Sequence, residues 1–305
     1  MNQQIYNYFK SAQIQTAATI FNNRTNHQNN ILISSSDSSN VQKVTINSHQ
    51  TYFLKQTDIA QGLAAAAAAT MYQNIGIATP PVQIVDDINN LNIQTLQPSV
   101  ENTSDFETIL AAQDLEYINL RKEFFGKFKW HIFYDKNLAN YLLKFMTPAC
   151  LEELKNMFLL DEIRTDIDRH PKNYFFYKSK NSQKYEGIIV IDLEQMVIYN
   201  YCLSSKDDFS NFLLYPYESA TPQQVTDYKC YKDRVVELQE LIQSGKLSEE
   251  NINILKAALS YNYPKELKHL CKSQKLSRKE KNNIVSPIER LWEYNNQTIG
   301  KELEL

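Results

Sequence analysis

The chain has 305 residues, of which 43% are hydrophobic and 22% are charged. This apolar content is enough to bury a sizeable core, in one large domain or in two lobes. A formal net charge of −3 excludes a global attraction to nucleic acid, and no apolar run is long enough to predict a transmembrane helix.

The N-terminal sequence, MNQQIYNYFKSAQ, lacks the basic start and apolar segment of a Sec-type signal peptide. The four cysteines are far apart and form no CxxC pair: Cys150, Cys202, Cys230 and Cys271. We interpret them as reduced thiols, and not as a zinc site or a disulfide framework. We therefore expect a cytoplasmic protein, or one that is translocated into a host cell without a Sec signal.

The first third of the chain alternates between strand-like and polar segments. ILISSSDSSNVQKVTI followed by QTYFLKQ predicts three strands joined by turns. IAQGLAAAAAATMYQNIG predicts a helix with Gly76 at its C-terminal cap, because alanine is the strongest helix former. TPPVQIVDD is typical of an edge strand entered through prolines. We expect a loop or a loose hairpin at residues 87–105, and a strand at the start of FETILAAQDLEYI.

The second half is mostly helical. DKNLANYLLKFM and TPACLEELKNMFLLDEI have apolar residues at helical spacing, and Pro148 follows a potential N-cap, Thr147. Three more helices are predicted in TPQQVTDYKCYKDRVVELQELIQSGK, SEENINILKAALS and PKELKHLCKSQKL. The fold class is therefore α+β, with a small β-rich part (residues 1–115) and a larger helical part (residues 116–305). The latter ends in a helical extension, residues 220–305, to which we assign no role.

A polar cluster lies in RTDIDRHPKNYFFYKSKNSQKYEGIIVIDLEQMV, residues 164–197. YFFY and GIIVID predict a two-stranded hairpin, with Asn173 just before the first strand and Asp192 at the end of the second. The hairpin would bring these side chains together, near Asp168. Mg²⁺ prefers hard oxygen ligands and takes others from nucleotide phosphates, while a separate Asp can accept the proton of an attacking hydroxyl. The cluster therefore favours phosphoryl transfer.

The order of these residues resembles the protein-kinase superfamily. DRHPKN, with IDLE in place of the usual Asp-Phe-Gly, resembles the HipA-like bacterial kinases and the phosphatidylinositol 3-/4-kinase branch. The resemblance implies a two-lobed protein-kinase-like fold that uses ATP and Mg²⁺ (or Mn²⁺), with residues 164–197 as the catalytic loop. It implies Asp168 as catalytic base and Asn173 and Asp192 as metal ligands. Lys172 either reaches the transferred phosphate or is a solvated lysine.

The N-terminal part matches the requirements of a kinase small lobe. Lys55, in the strand YFLK, would contact the ATP phosphates, and a serine-rich turn would cover them in place of the usual glycines. The serines assigned to this cover are Ser35, Ser36, Ser38 and Ser39. In the HipA-like family this loop contains an autophosphorylated serine, and here Ser34 is a further candidate for that modification.

The usual helix glutamate that pairs with the strand lysine is missing. No Glu or Asp occurs between Asp58 and Asp86. Either Gln61 takes the place of the glutamate, or Lys55 contacts phosphate without an ion-pair partner.

Residues 265–281 contain seven Lys or Arg against two Glu. Four lysines of this segment would share one helical face if the helix continues that far: Lys268, Lys272, Lys275 and Lys279. A solvated helix face is the ordinary interpretation. The alternative is a site for a polyanion, such as an inositol phosphate, an anionic lipid headgroup or nucleic acid.

Three functions follow from these patterns. The leading one is an atypical bacterial Ser/Thr protein kinase, of toxin or secreted-effector type, whose protein substrate is unknown. DRHPKN and the basic-aromatic segment LRKEFFGKFKWHIF favour a phosphoinositide kinase as the alternative. The missing helix acid and glycines favour a pseudokinase that acts as a binding or scaffolding module.

Overall fold

The computed structural model describes nine stretches of the chain: residues 17–20, 31–35, 41–47, 50–89, 92–99, 103–112, 132–166, 171–193 and 235–305. The chain divides into two compact units. The first comprises residues 1–103 and 189–194, and the second comprises residues 104–188 and 195–305. The chain thus leaves the second unit for a short return to the first.

The first unit contains a five-stranded antiparallel sheet with the spatial order β1-β2-β3-β5-β4. Its strands are β1 (Ile31–Ser35), β2 (Val41–Ile46), β3 (Gln50–Asp58), β4 (Gln83–Asn89) and β5 (Asn92–Pro98). The three predicted N-terminal strands are confirmed, and β4 is the edge strand that its prolines predicted. One face of the sheet is apolar because alternate residues point to it, and Val44, Tyr52 and Leu96 form part of the core there.

The predicted hairpin at residues 87–105 exists, but β5 is a central strand between β3 and β4. Its sequence, NIQTLQP, looks polar, yet Ile93, Thr95 and Leu96 are buried. A strand with only two large apolar residues, Ile93 and Leu96, gives a weak hydrophobic pattern in the sequence.

Helix α1 (Ile59–Asn74) follows β3 as predicted. Asp58 begins it, since its carboxylate accepts a hydrogen bond from Gln61 N at 2.9 Å. Gly76 ends it in a left-handed conformation (φ 97°), and Ile77 N donates to Tyr72 O at 2.9 Å. Gly62 allows α1 to approach the sheet closely, because a Cβ atom there would overlap Ile93 and Thr57.

The second unit combines a three-stranded sheet with helices. The strands, in spatial order, are β6 (Thr103–Asp105), β7 (Tyr174–Tyr177) and β8 (Gly187–Val190). The helices are α2 (Phe106–Ala111), α3 (Lys136–Leu142), α4 (Pro148–Arg164), α5 (Glu249–Ser260), α6 (Tyr263–Ser273) and α7 (Arg278–Asn295), with a π-helical turn at Asn296–Gly300. Residues 235–243 are also helical. The predicted β7–β8 hairpin and the Thr147–Pro148 start of α4 are confirmed.

The strand expected at FETILA is wrong, since these residues form α2. Asp105 caps the helix: its carboxylate accepts hydrogen bonds from Thr108 N at 2.8 Å and from Thr108 Oγ1 at 2.7 Å. An N-cap of this type, with Glu107 in the first turn, stabilises a helix start despite the β-branched residues that follow.

Two of the four cysteines are described, and both are buried free thiols. Burial raises the pKa of Cys150, and it raises that of Cys271 to about 11, so both thiols are protonated and poorly reactive near neutral pH. Cys202 and Cys230 lie outside the described residues. Within the described stretches, every helix is too short or too polar to cross a lipid bilayer.

We predict that Gly62→Ala lowers the free energy of unfolding by about 1–2 kcal/mol, because overpacking outweighs the better helix propensity of alanine. The new Cβ atom would lie 2.7 Å from Ile93 Cγ1 and 2.9 Å from Thr57 Cγ2, and would also overlap Ile93 Cδ1. Denaturant unfolding measures the loss. Ile93→Val removes Cδ1 and should restore part of it in the double variant.

Gly300→Ala is the matched control, since the nearest atom to its Cβ would be 3.5 Å away. Equal effects of the two glycine substitutions would contradict the packing argument.

Candidate active site

The centre of the candidate site in the first unit is an ion pair. Lys55 Nζ, on β3, lies 3.2 Å from Asp192 Oδ1, across 137 residues of sequence. The two side chains are 24% and 32% exposed, so water screens the pair only in part. The structure thus brings together the predicted phosphate-binding lysine and one of the predicted metal ligands.

Two features hold Asp192 beside β3. Val190 N donates a hydrogen bond to Ala78 O at 2.9 Å, which joins the end of β8 to the loop after α1. Asp192 itself has a left-handed backbone (φ 54°), which Asp tolerates better than most residues because its short side chain can bond locally. The Val190 hydrogen bond and this backbone conformation together determine where the Asp192 carboxylate lies.

Gln61 lies in the first turn of α1, a helix that contains no acidic residue. Its side-chain oxygen accepts a hydrogen bond from Thr57 Oγ1 at 3.3 Å. Lys55 therefore has an ion-pair partner, but this partner is Asp192 and not a helix residue. The sequence offered two alternatives for Lys55: Gln61 in place of the glutamate, or no ion-pair partner. Neither alternative included Asp192.

The serine-rich turn is described only at its start. Ser34 is exposed on β1, and the backbone of Ser35 pairs with Gln42 of β2. Ser36, Ser38 and Ser39 lie outside the described residues.

The second unit contains the rest of the predicted machinery. Asn173 is buried and immediately precedes β7. Lys172 is 65% exposed, and its Nζ lies 3.6 Å from Glu107 Oε2, a pair that is worth little in water. Asp168 lies outside the described residues.

Helix α2 contacts the described residues just before β7, which the sequence did not indicate. Phe106 N donates a hydrogen bond to Pro171 O at 3.1 Å. The Phe106 ring packs against Tyr174 and Phe176, with centroid distances of 5.4 and 5.1 Å. The capped start of α2 therefore anchors the backbone next to Asn173.

A half-buried carboxyl group on α4 contacts β8. Glu153, on α4, accepts a hydrogen bond from Ile188 N at 3.0 Å through Oε2. Burial raises the pKa of Glu153 above its ordinary value of 4.5, and the nearby charge of Glu250 acts in the same direction. Because Asp192 follows the end of β8 by two residues, Glu153 holds the strand that leads to a predicted metal ligand.

The four lysines predicted to share a helical face do not lie on one helix. Helix α6 ends at Ser273, Lys275 has a left-handed backbone (φ 55°), and Lys279 belongs to α7. Ser277 caps α7 with Glu280 in a capping box, so the chain breaks here instead of continuing. Lys268 forms an ion pair with Glu289.

Comparison with protein-family models gives no match, and comparison with curated proteins gives none either. Among solved structures, HipA from the Shewanella oneidensis MR-1 toxin–antitoxin complex with HipB and operator DNA is 11% identical. The alignment has a TM-score of 0.50 and covers 89% of this chain and 67% of that chain. The proinflammatory kinase CtkA of Helicobacter pylori is 15% identical, with a TM-score of 0.42 over 84% of this chain and 96% of that chain. The similarity to HipA confirms the predicted two-lobed protein-kinase-like fold.

We predict that Glu153→Gln becomes more stable relative to wild type as the pH rises. The unfolded carboxyl ionises near its ordinary pKa, whereas the folded carboxyl ionises at a higher pH. The contribution of Glu153 to stability is therefore fully present below the unfolded pKa and is lost as pH rises through the folded pKa. Glutamine keeps an oxygen that can accept the Ile188 hydrogen bond and removes the titration.

Melting temperatures of both proteins between about pH 4 and about pH 8 measure this difference. The exposed Glu293→Gln is the control and should show no such trend. A constant difference between Glu153→Gln and wild type over this range would contradict the prediction.

Proposed function

We propose that the protein is an ATP- and Mg²⁺-dependent phosphotransferase of the atypical Ser/Thr protein kinase type. The observation that supports this most directly is the ion pair between Lys55 and Asp192. A lysine on a central strand and a carboxylate after a hairpin are the residue types that bind nucleotide phosphates and their metal. The protein-kinase-like fold favours a kinase-type phosphotransferase over other phosphate-binding proteins.

The donor chemistry of the proposed site suits Mg²⁺. Asp192 offers a half-buried carboxylate and Asn173 a buried amide oxygen, both hard ligands. When bound, Mg²⁺ would neutralise charge on the nucleotide phosphates. Lys55 would contact these phosphates and orient Asp192, and Asp168 would accept the proton of the acceptor hydroxyl. Lys172 is exposed enough to reach the transferred group.

The acceptor of the phosphoryl group and the autophosphorylation of the protein are also proposals. By resemblance to HipA-like kinases, the acceptor is a protein hydroxyl, and a serine of the turn after β1 is itself phosphorylated. The toxin or secreted-effector role rests on the same resemblance.

We expect Asp192→Asn to lose the Mg²⁺-dependent part of nucleotide affinity. Asparagine suits this experiment better than alanine, because it tolerates the left-handed backbone at position 192 and changes mainly the charge. Asp168→Asn should keep nucleotide affinity and lose about 10²–10⁴-fold in turnover. Titration calorimetry with ATP, with and without Mg²⁺, and transfer of labelled phosphate to protein and phosphoinositide measure both.

Glu293→Gln is the control, since this exposed carboxylate lies on α7 and not in the proposed site. Full Mg²⁺-dependent affinity and turnover in Asp192→Asn would remove the metal assignment. Transfer to phosphoinositide alone would identify a lipid kinase. Nucleotide binding without any transfer by wild type would identify a pseudokinase.

We also propose a polyanion contact, now centred on Lys272, Lys275 and Lys279. These exposed lysines flank the turn between α6 and α7, whereas the charge of Lys268 is partly neutralised by Glu289. An inositol polyphosphate should raise the melting temperature, by mass action, and less so at high salt. The same response after replacing all three lysines with alanine would refute the contact, with Lys246→Ala as the control.

A further inference from the structure

The C-terminal end of α4 is strained. Thr165 has a left-handed backbone (φ 59°, ψ 37°) and closes a Schellman motif, in which Asp166 N donates to Asp161 O at 2.8 Å. Glycine usually occupies this position, and a β-branched residue there is an outlier. Thr165 is also buried, and its hydroxyl has no hydrogen-bond partner. Both features cost stability, and they occur three residues before Asp168.

A buried ion pair spans the strained residue. Arg164 Nη1 lies 3.4 Å from Asp166 Oδ2, and both side chains are fully buried. The Arg164 guanidinium also donates a hydrogen bond to the hydroxyl oxygen of Tyr263, the first residue of α6. Tyr263 is fully buried as well, so this contact is shielded from water.

Contacts with α7 hold both Tyr263 and the C-terminal end of α4. The Tyr263 ring stacks on Trp292 of α7 at a centroid distance of 4.9 Å, and Trp292 Nε1 donates to Tyr261 O at 3.0 Å. Asn295 Nδ2 donates to Ile163 O at 2.8 Å, which satisfies a carbonyl of the last turn of α4. Residues far along the chain therefore determine the geometry at the start of the catalytic loop.

We propose that Tyr263 is a positioning residue for phosphoryl transfer: it holds Arg164 against Asp166, and so fixes the backbone that leads to Asp168. The proposal rests on the function proposed above. Asp166 precedes the proposed base, Asp168, by two residues in the sequence, so we expect a change in the Arg164–Asp166 pair to alter turnover. A displacement of about 1 Å at reacting groups can cost about 10²-fold in rate.

A purely stabilising role accounts for these features less well. A buried ion pair is weak evidence for stability, because apolar side chains of similar size often serve equally well. The left-handed threonine and its unpartnered hydroxyl lower stability further. Local features that oppose stability are expected at functional sites, where the surrounding structure holds a required geometry.

The test is Tyr263→Phe, which keeps the ring stacked on Trp292 and removes the hydroxyl. We expect turnover of labelled ATP to fall about 10- to 100-fold, with the affinity for Mg²⁺–ATP unchanged. The control is Tyr134→Phe, since Tyr134 is 49% exposed. Hydrogen exchange of residues 165–173 is the second measurement, and it should quicken in Tyr263→Phe while exchange in β2 and β3 stays unchanged.

The outcomes separate this inference from the proposed function. Wild type without ATP turnover would refute the proposed function, and this inference with it. An active wild type and an equally active Tyr263→Phe, with unchanged exchange of residues 165–173, would refute this inference alone. Loss of affinity and turnover together with faster exchange throughout the chain would identify a merely structural role and also overturn the proposal.

Discussion

The ion pair between Lys55 and Asp192 is the contact on which the first unit's part of the site depends. It joins the sheet to a short segment, residues 189–194, that lies between the two parts of the second unit in the sequence. Most kinases satisfy the strand lysine with a helix glutamate, but here α1 has no acidic residue to offer. The carboxylate that we propose as a metal ligand is therefore also the ion-pair partner of the lysine.

Local signals made much of the fold predictable. Alternating apolar residues defined β1 to β3, and the ends of α1 follow from Asp58 and Gly76, whose side-chain chemistry acts within a few residues. The proline at Pro148 marked the start of α4 in the same way. Spacing alone placed Lys55 on a strand and Asp192 after a hairpin, because each position depends on its own element.

The features that the sequence did not predict depend on contacts between residues far apart in the sequence, or on helix caps that outweigh the strand propensity of the residues. Helix α2 forms because Asp105 caps it, although its residues suggested a strand. The lysine segment breaks at Lys275, whose left-handed backbone no charge pattern indicates. The hydrogen bond from Asn295 to α4 spans 132 residues, so no pattern in the sequence connects the helical extension with the site. Composition cannot reveal such a contact, because Asn295 resembles any polar helix residue.

Helix α1 limits how the site can be controlled. Residues 62–69 are all buried, and eight consecutive residues extend over about two turns, so the helix is buried around its whole circumference. A rotation or outward swing would expose apolar surface without forming or breaking a charge pair, since α1 has no charged residue. The carboxylate that pairs with Lys55 therefore comes from the segment after β8, in which Ile188 N donates to Glu153 and Val190 N donates to Ala78 O.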